Sequence, residues 1–460
     1  MKNKDSTIDL SLLQHNREAC ANIVQLLMKK PVVEVAEWMM QLESVPMLDL
    51  LTRFTPEKQG FIMAEFPLKL QLDIFQSLSK RRFAEIFEQM PSDAQVDIFQ
   101  HMTQSEQAEL LPFLKKVVKE QVISLSAYPP ETAGGIMSTD FATVKENMTC
   151  AEAIAKVRAD APSKKTIYYV YVVDDDQKLI GFITLKNLIL NHPQTLVSDS
   201  MHRDFVFARV DEDREKVAEK IEKYDLVTIP ILNHAGQLVG IVTHDEAIDI
   251  IRAEHTEDME KFMGIVKANK ESNYVETNVW KHFTRRVVWI VSLAAVGLVS
   301  GIIIHSYENT LSKLMILALY MPMVADTGGN CGSQAATVVV RALALNQISF
   351  RKWWQVIWKE ARISLLLSVC LGVIAFVKVM FLSWETEIPQ AHSLSKIALV
   401  ISIALALQTI TATIIGAALP LFVKRFGGDP AVAASPAITT VVDITGLIIY
   451  FSLATLFFTF

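Results

Sequence analysis

The chain has 460 residues, of which 51% are apolar and 20% are charged, and its formal net charge is −6. An acidic balance argues against a nucleic-acid-binding surface, which needs clustered Lys and Arg. The 4 cysteines form neither a CxxC motif nor a Cys/His cluster, so no disulfide framework and no zinc site is predicted. Residues 1–280 are charged throughout, whereas residues 283–460 hold nearly all the long apolar stretches. The composition therefore predicts a soluble first half followed by a membrane half.

Residues 54–114 contain a 12-residue repeat of apolar positions. One set of anchors comprises Phe54, Phe66, Leu78, Met90, Met102 and Leu114, and a second comprises Ile62, Ile74, Ile86, Ile98 and Leu110. Prolines and polar turns separate the units, which predicts short helices stacked into a superhelix. An acidic residue recurs in phase at Asp73, Glu85, Asp97 and Glu109, and we interpret this set as a solvated outer face.

Residues 137–252 contain two segments with the pattern strand, helix, strand, strand, helix. The strand candidates are 168–173 and 179–184 in the first segment and 227–232 and 238–242 in the second. Each segment closes with Gly-apolar-apolar-Thr, ending at Thr184 and Thr243. These segments resemble tandem CBS domains, which usually pair and often bind adenine nucleotides. The resemblance makes Thr184, Asn187 and Thr243 candidate nucleotide contacts and ATP a candidate ligand, although Glu246 departs from the usual Asp or Asn.

Acidic residues crowd the second of these segments and the stretch after it. They include Asp211, Glu212, Asp213, Glu215, Asp225, Glu246, Asp249, Glu254, Glu257 and Asp258. Asp249, Glu254, Glu257 and Asp258 approach one helical stripe, where like charges repel. Two interpretations remain open, a divalent-cation site that relieves this repulsion and a solvated acidic helix.

Five membrane spans are predicted, at about 286–305, 313–340, 362–382, 396–423 and 431–459, each long enough to cross the hydrocarbon layer. Basic residues concentrate before span one, between spans two and three, and between spans four and five. The N-terminus lacks an apolar signal core, so the positive-inside rule predicts a cytoplasmic first half and an outside C-terminus. The segment Phe350–Trp358 is predicted to be an amphipathic stretch at the membrane surface.

Span two contains a run rich in glycine and amides, Pro322 to Gln334. Glycine weakens a helix, and amides inside a membrane need polar partners. One interpretation is close helix packing through small residues. The other, which we favour, is a break in the helix beside a pore.

Span five contains a carboxylate, Asp443, with no Lys or Arg elsewhere in the span. A carboxylate at membrane depth is costly and marks a functional site by default. Thr439 and Thr440 lie four and three residues earlier, on the same helical face. Carboxylate, hydroxyl and carbonyl oxygens suit a hard cation such as Mg2+. A protonated Asp443 that is hydrogen-bonded within the bundle is the alternative.

Taken together, the chain resembles the MgtE family over nearly its whole length. The specific matches are Gly328, Gly329, Asn330, Gly332 and Gln334 in span two, followed by Asp429-Pro430, Ser435-Pro436 and Asp443. The implied fold is multidomain, with an α-helical superhelical N-domain, α/β tandem CBS domains and an all-α membrane domain of five transmembrane helices. The expected boundaries are 1–130, 131–198, 199–253, 254–280 for a connecting plug helix, and 281–460.

The resemblance implies a homodimeric Mg2+ channel, not an enzyme, in the cell (inner) membrane, with no nucleic-acid partner. Asp443, Thr439, Thr440 and Ser435 would line the pore, and internal Mg2+ bound to the soluble half would close it. The implied sensor carboxylates are Asp93, Asp97, Asp213, Glu215, Asp225, Glu246, Asp249, Glu254, Glu257 and Asp258. Two alternatives are a transporter of Co2+, Mn2+ or Zn2+, which oxygen ligands disfavour, and a membrane-tethered nucleotide sensor.

Overall fold

A computed structural model describes residues 25–42, 44–161, 166–266, 274–275, 277–345, 347–386, 388, 392–432 and 435–458. The start of the predicted N-domain and part of the predicted connecting helix lie outside the described residues. The chain divides into two compact units between Glu254 and His255.

The first unit begins with short helices in the repeat region. These are α1 (Val32–Met39), α2 (Ser44–Leu51), α3 (Pro56–Ala64), α4 (Leu68–Ser77), α5 (Lys80–Phe87), α6 (Ser92–His101), α7 (Gln104–Leu110) and α8 (Lys116–Ser126). Thr55, Ser79 and Thr103 cap the starts of α3, α5 and α7 with their hydroxyl groups. The predicted anchors are buried in one core, except that Leu78 is half-buried. The four in-phase acidic residues are exposed, as predicted.

A glutamine joins successive helices of the repeat, which the sequence analysis did not recognise. The buried Gln71 donates its amide to the carbonyl oxygens of Met63 (2.8 Å) and Phe66 (2.7 Å), which close the preceding helix. Gln59, Gln95 and Gln107 make equivalent contacts at the same phase of the repeat. Each amide satisfies carbonyl groups that a helix end leaves without partners.

The second part of this unit contains two similar α/β segments, as predicted. The first consists of α9 (Ala133–Ile136), β1 (Ala142–Val144), α10 (Cys150–Asp160), β2 (Tyr169–Val173), β3 (Leu179–Thr184), α11 (Leu185–Leu190) and α12 (Val197–Ser200). The second consists of β4 (Ala208–Arg209), α13 (Arg214–Lys223), β5 (Thr228–Leu232), β6 (Leu238–Thr243) and α14 (His244–Phe262). In each three-stranded sheet the first pair of strands is parallel and the second pair is antiparallel. Val96 of α6 packs into the core of the second segment, so the repeat region adjoins it.

The second unit is helical. Its helices are α15 (Val279–Ser306), α16 (Glu308–Lys313), α17 (Ile316–Ala344), α18 (Trp353–Leu382), α19 (Leu394–Arg425) and α20 (Ser435–Phe457). Among the described residues, four segments are long and apolar enough to cross a membrane: α15, Phe350–Leu382, α19 and α20. Helix α17 corresponds to predicted span two and is as long as the others, but its polar run keeps it below this standard of apolarity. The count of five spans therefore stays a prediction.

One local expectation is wrong. Helix α17 runs without interruption through Pro322 and the glycine-rich run, so the span is not broken. Tertiary packing overrides the low helix propensity of glycine here, because a Cβ at Gly416 would lie 2.1 Å from the Gly332 carbonyl oxygen. The segment Phe350–Trp358 forms one 3-10 turn at Phe350–Lys352 and the start of α18, and its position at the membrane surface stays a prediction.

Candidate functional site

Asp443 lies half-buried on α20, at the face that meets α17. Gly329 makes this approach possible. A Cβ at Gly329 would lie 3.3 Å from Thr439 Cγ2 and 3.9 Å from Asp443 Oδ1. Any longer side chain at this position would push the two helices apart or cover the carboxylate. The glycine-rich run and Asp443, which are distant in sequence, therefore belong to one site.

The hydroxyl groups near Asp443 have their hydrogens engaged. Thr439 and Thr440 both donate to the carbonyl oxygen of Pro436, each at 2.9 Å. Ser435 donates to Ser333 Oγ on α17 at 3.0 Å. Because a hydroxyl oxygen keeps acceptor lone pairs after it donates, all three predicted pore residues could still accept hydrogen bonds or contact a cation.

A second carboxylate, Asp326, completes the site and was not selected from the sequence. It lies within electrostatic range of Asp443 and three residues before Gly329. Asp326, Asn330 and Gln334 recur every four residues and are all exposed on α17. Within the described part of the chain, neither Asp326 nor Asp443 has a Lys or Arg partner. The four-residue spacing of Asp326, Asn330 and Gln334 is the feature of the sequence from which this polar stripe could have been predicted.

The predicted span-two motif therefore divides between two faces of α17. Gly328, Gly329 and Gly332 are buried against neighbouring helices, whereas Asn330 and Gln334 are on the exposed face. The glycines permit close packing and the amides provide polar surface. Both are compatible with a water-filled path, which a polar stripe at membrane depth requires.

The predicted sensor carboxylates of the first unit do not form one cluster. Asp213 caps α13 by accepting a bond from the Glu215 amide at 2.9 Å, and Asp225 follows that helix with a φ of 50°. Asp93 is half-buried in the first turn of α6, and the exposed Asp97 lies 3.8 Å from His101. Glu246 lies in the first turn of α14. Among the described residues, no group of three or more Asp, Glu, His or Cys side chains is arranged to hold a metal ion.

Glu254 is engaged by a buried arginine. Arg214 is 2% exposed and contacts Glu254 Oε1 through Nη2 (2.6 Å) and Nε (2.8 Å), and Glu131 through Nη2 (2.7 Å). Asp249 on the same helix is 74% exposed, with Arg252 3.8 Å away. These two predicted sensor residues therefore differ in character, since one is an ion-pair partner and the other faces solvent.

Asp249 has an acidic neighbour that the sequence analysis missed. Burial and the negative charge of Asp249 raise the pKa of Glu65, at the end of α3 in the repeat region. Because the two residues are far apart in sequence and unrelated in pattern, only the tertiary structure identifies this pair. A divalent cation bound between them would relieve the repulsion.

In the second unit, Lys261 joins α14 to the loop before α20. Its Nζ lies 3.0 Å from Glu257 Oε1 and 2.8 Å from Asp429 Oδ2. Burial alone would lower the pKa of Lys261, but these two carboxylates more than offset it and raise the pKa. The neighbouring Phe262 packs against a core formed by α17, α19 and α20. Asp258, the remaining predicted sensor residue, is half-buried on α14 and lies between Glu257 and Lys261 in the sequence.

The candidate nucleotide contacts fit a ligand only in part. Thr184 Oγ1 caps α11 by accepting from the Asn187 amide at 3.1 Å, and the Asn187 side chain meets His202 Nε2 at 3.2 Å. Thr243 Oγ1 is buried and has no hydrogen-bond partner among the described residues. Of the candidate contacts, Thr243 thus carries a buried hydroxyl without a partner among the described residues.

Three family models match four segments of the chain. The family described as divalent cation transporter, MgtE, matches residues 321–453. The MgtE intracellular N domain matches 30–131, and CBS domains match 133–191 and 197–253.

Relatives cover most of the chain. It is 36% identical to the magnesium transporter MgtE of Thermus thermophilus, over 74% of this chain and 72% of that protein. It is 34% identical to the magnesium transporter MgtE of Bacillus subtilis, over 72% and 71% respectively. The crystal structure of the soluble part of a magnesium transporter superposes with a TM-score of 0.50 and 28% identity, covering 53% of this chain and 96% of the other.

Proposed function

This chain belongs to the MgtE family of multi-pass membrane transporters, and we propose that it carries Mg2+ through the membrane along the meeting face of α17 and α20. The family consists of transporters rather than enzymes. The observation that carries the proposal is the pair Asp326 and Asp443, which lie within electrostatic range of each other without a basic partner among the described residues. Two carboxylates with nearby hydroxyl and amide oxygens provide the hard ligands that Mg2+ prefers. A cation is the simplest compensation for their charge.

A second copy of the chain would complete the path. The polar stripe of α17 is exposed in a single chain, and α15 has no buried residue. Polar groups cannot face lipid without cost, so a two-fold axis beside α17 and α20 would place two Asp443 side chains around one hydrated ion. In a background without Cys331 and Cys370, cysteines at the exposed Val441 and Ile448 should crosslink two copies. A cysteine at Leu366, exposed on α18, is the control, and crosslinking there alone would contradict this axis.

The transport proposal is tested by ion flux into proteoliposomes. We expect Asp443→Asn to lower Mg2+ flux at least 100-fold while the protein still inserts, because a neutral amide cannot balance a dication. Glu308→Gln is the matched control, since Glu308 is exposed and lies outside the site. Wild-type flux in Asp443→Asn would refute the pore assignment.

Another divalent cation is the second candidate, because the matching family is described by that broader class. Cys331, in the glycine-rich run, is a soft ligand near the site. The same assay should compare Mg2+ with Mn2+, Co2+, Zn2+ and Ca2+. A preference for Zn2+ or Co2+ that disappears in Cys331→Ser would favour this candidate over Mg2+.

We further propose that internal Mg2+ closes the path. Glu65 and Asp249 repel each other without metal, so a cation bound between them would favour the arrangement that holds them together. Helix α14 runs from β6 to Phe262, which packs on the helices of the site, and could transmit such a change. For closure, Mg2+ must bind the closed state more tightly than the open state.

The gating proposal needs a variant that does not break a buried ion pair. Neutralising Asp249, Glu254, Glu257 and Asp258 together would also remove Glu254 from Arg214 and Glu257 from Lys261, which would keep only Glu131 and Asp429 as their respective partners. Asp249→Asn is cleaner because its side chain faces solvent, and we expect it to raise the internal Mg2+ concentration that halves flux. The exposed Asp73→Asn is the control. An unchanged closing concentration in Asp249→Asn would contradict the assignment.

Orientation, compartment and nucleotide binding remain proposals on sequence grounds. From the basic residues beside the spans and the positive-inside rule, we propose that the first unit lies on the cytoplasmic side of the cell (inner) membrane. We also propose ATP as a ligand at Thr243 and Asn187, and Thr243→Val should weaken ATP binding measured by calorimetry.

A further inference from the structure

A buried glutamine, Gln408, lies at the centre of the membrane unit. It is on α19, its side chain is completely inaccessible to solvent, and the sequence analysis did not select it. An amide buried among apolar helices is costly unless its polar atoms are satisfied. Its contacts therefore indicate what it does.

The Gln408 amide bonds to the backbone beside Asp443. Its Nε2 donates to the carbonyl oxygen of Val442 at 2.8 Å. Thr445 Oγ1 donates to the same carbonyl at 2.9 Å, and the Thr411 hydroxyl lies 3.3 Å from Gln408 Oε1 but closer to the carbonyl oxygens of Leu407 and Gln408. The amide is thus attached through its Nε2 to the helical turn that carries Asp443.

Two glycines on different helices make room for this amide. A Cβ at Gly328 of α17 would lie 2.4 Å from Gln408 Nε2, and a Cβ at Gly446 of α20 would lie 2.6 Å from it. Contacts this short do not occur without displacement. The amide therefore sits between α17 and α20 at a depth where only glycine fits on both sides.

Because the Gln408 amide contacts both α17 and α20, its position depends on the distance between the helices that carry Asp326 and Asp443. Gly328 adjoins Gly329, which faces Asp443, and Gly446 lies three residues after Asp443. A sideways or axial shift of α20 against α17 would break the bond to Val442 or move a glycine backbone into the amide. We propose that Gln408 is a positioning residue that holds Asp443 at its distance from α17 and thereby sets discrimination among divalent cations.

The inference deepens the proposed pore function and rests on it. A site that binds a hydrated ion selects by the spacing of its oxygen atoms, because Mg2+ and Ca2+ differ in size and in the geometry they require. If α20 is no longer held at a fixed distance from α17, the site should accept Ca2+ more readily, because Ca2+ is larger and tolerates a wider range of coordination geometries than Mg2+. Discrimination should therefore fall more than the maximal rate.

The test compares Gln408→Met with wild type in proteoliposomes. Methionine keeps similar length and volume but cannot donate to Val442. We expect the Mg2+ concentration for half-maximal flux to rise about fivefold and Mg2+-over-Ca2+ preference to fall by a similar factor, which corresponds to one lost hydrogen bond. Ser402→Ala is the control on the same helix, since the buried Ser402 hydroxyl bonds only to its own helix at Ala398.

A pair of variants separates positioning from simple packing. Gly446→Ala should lower the amount of folded protein, and adding Gln408→Ala should restore the amount by vacating the space. The double variant should remain unselective, because no amide holds Val442. If the double variant regains wild-type preference, the role is steric only and the proposal is wrong. Gln408→Asn, which cannot reach Val442, replaces Gln408→Met should the latter fail to insert.

The outcomes distinguish this inference from the function on which it rests. If Asp443→Asn transports normally, the pore assignment fails whatever Gln408 does. If Asp443→Asn blocks flux while Gln408→Met or Gln408→Asn keeps wild-type half-saturation and preference, only the positioning role is refuted. Selectivity loss in the Gln408 variants, with Ser402→Ala unaffected, supports it.

Discussion

Replacing Glu254 by glutamine decides whether this carboxylate serves an ion pair or a metal. Arg214 is 2% exposed and Glu254 is 17% exposed, so their contact is largely removed from water. Removing one member of a buried pair costs about 3–5 kcal/mol, because the other charge stays buried. Glu131, which is 54% exposed, still contacts Arg214 and limits the loss to the lower end, about 3 kcal/mol.

The assay is hydrogen–deuterium exchange of the α13 amides in the full-length protein. A loss of about 3 kcal/mol corresponds to roughly 100-fold faster exchange where local opening governs the rate. The effect should be equal with and without Mg2+, since it arises from Arg214. Asp249→Asn is the matched comparison on the same helix and should leave exchange unchanged without Mg2+ while reducing protection by Mg2+.

The opposite pattern would refute this reasoning. If Glu254→Gln keeps exchange within a few-fold of wild type without Mg2+ but abolishes protection by Mg2+, Glu254 acts as a metal ligand first. The ion pair with Arg214 would then be of little energetic consequence.

Three further predictions follow from individual contacts. The pKa of Glu65 is raised above its ordinary value of 4.5, so ionisation of Glu65 destabilises the first unit as pH rises through the raised value. Glu65→Gln should therefore raise the thermal midpoint at pH 7 without Mg2+, and it should have no effect on the midpoint below pH 4.5. Lys261→Met removes the link to Asp429 and should raise flux at inhibitory internal Mg2+ about two- to fivefold, a small factor because the pair is partly exposed. Gln71→Ala removes the side-chain bonds to the Met63 and Phe66 carbonyl oxygens, of which Met63 keeps the bond from the Phe66 backbone amide, and should destabilise the repeat region by about 1–2 kcal/mol, measured by exchange of α4 amides.

Much of the fold follows from periodicity in the sequence. The 12-residue spacing predicted the buried anchors of α3 to α8, because each short helix buries one face on its neighbour. The strand order of both α/β segments and the positions of the apolar helices followed from runs of apolar residues. Helix α17 was the exception. Its glycines predicted a break, but packing against α19 and α20 keeps the helix continuous.

Residue chemistry in the sequence also predicted that Asp443 is functional, since a carboxylate without a basic partner in a span is costly wherever it points. Its surroundings were decided only by tertiary structure. Gln408 meets Val442, and Gly329 meets Asp443, across different helices. The same holds for Arg214 with Glu254, which joins residues 40 positions apart. No local pattern encodes such pairs, because the helices between them set both the distance and the burial on which each electrostatic interaction depends.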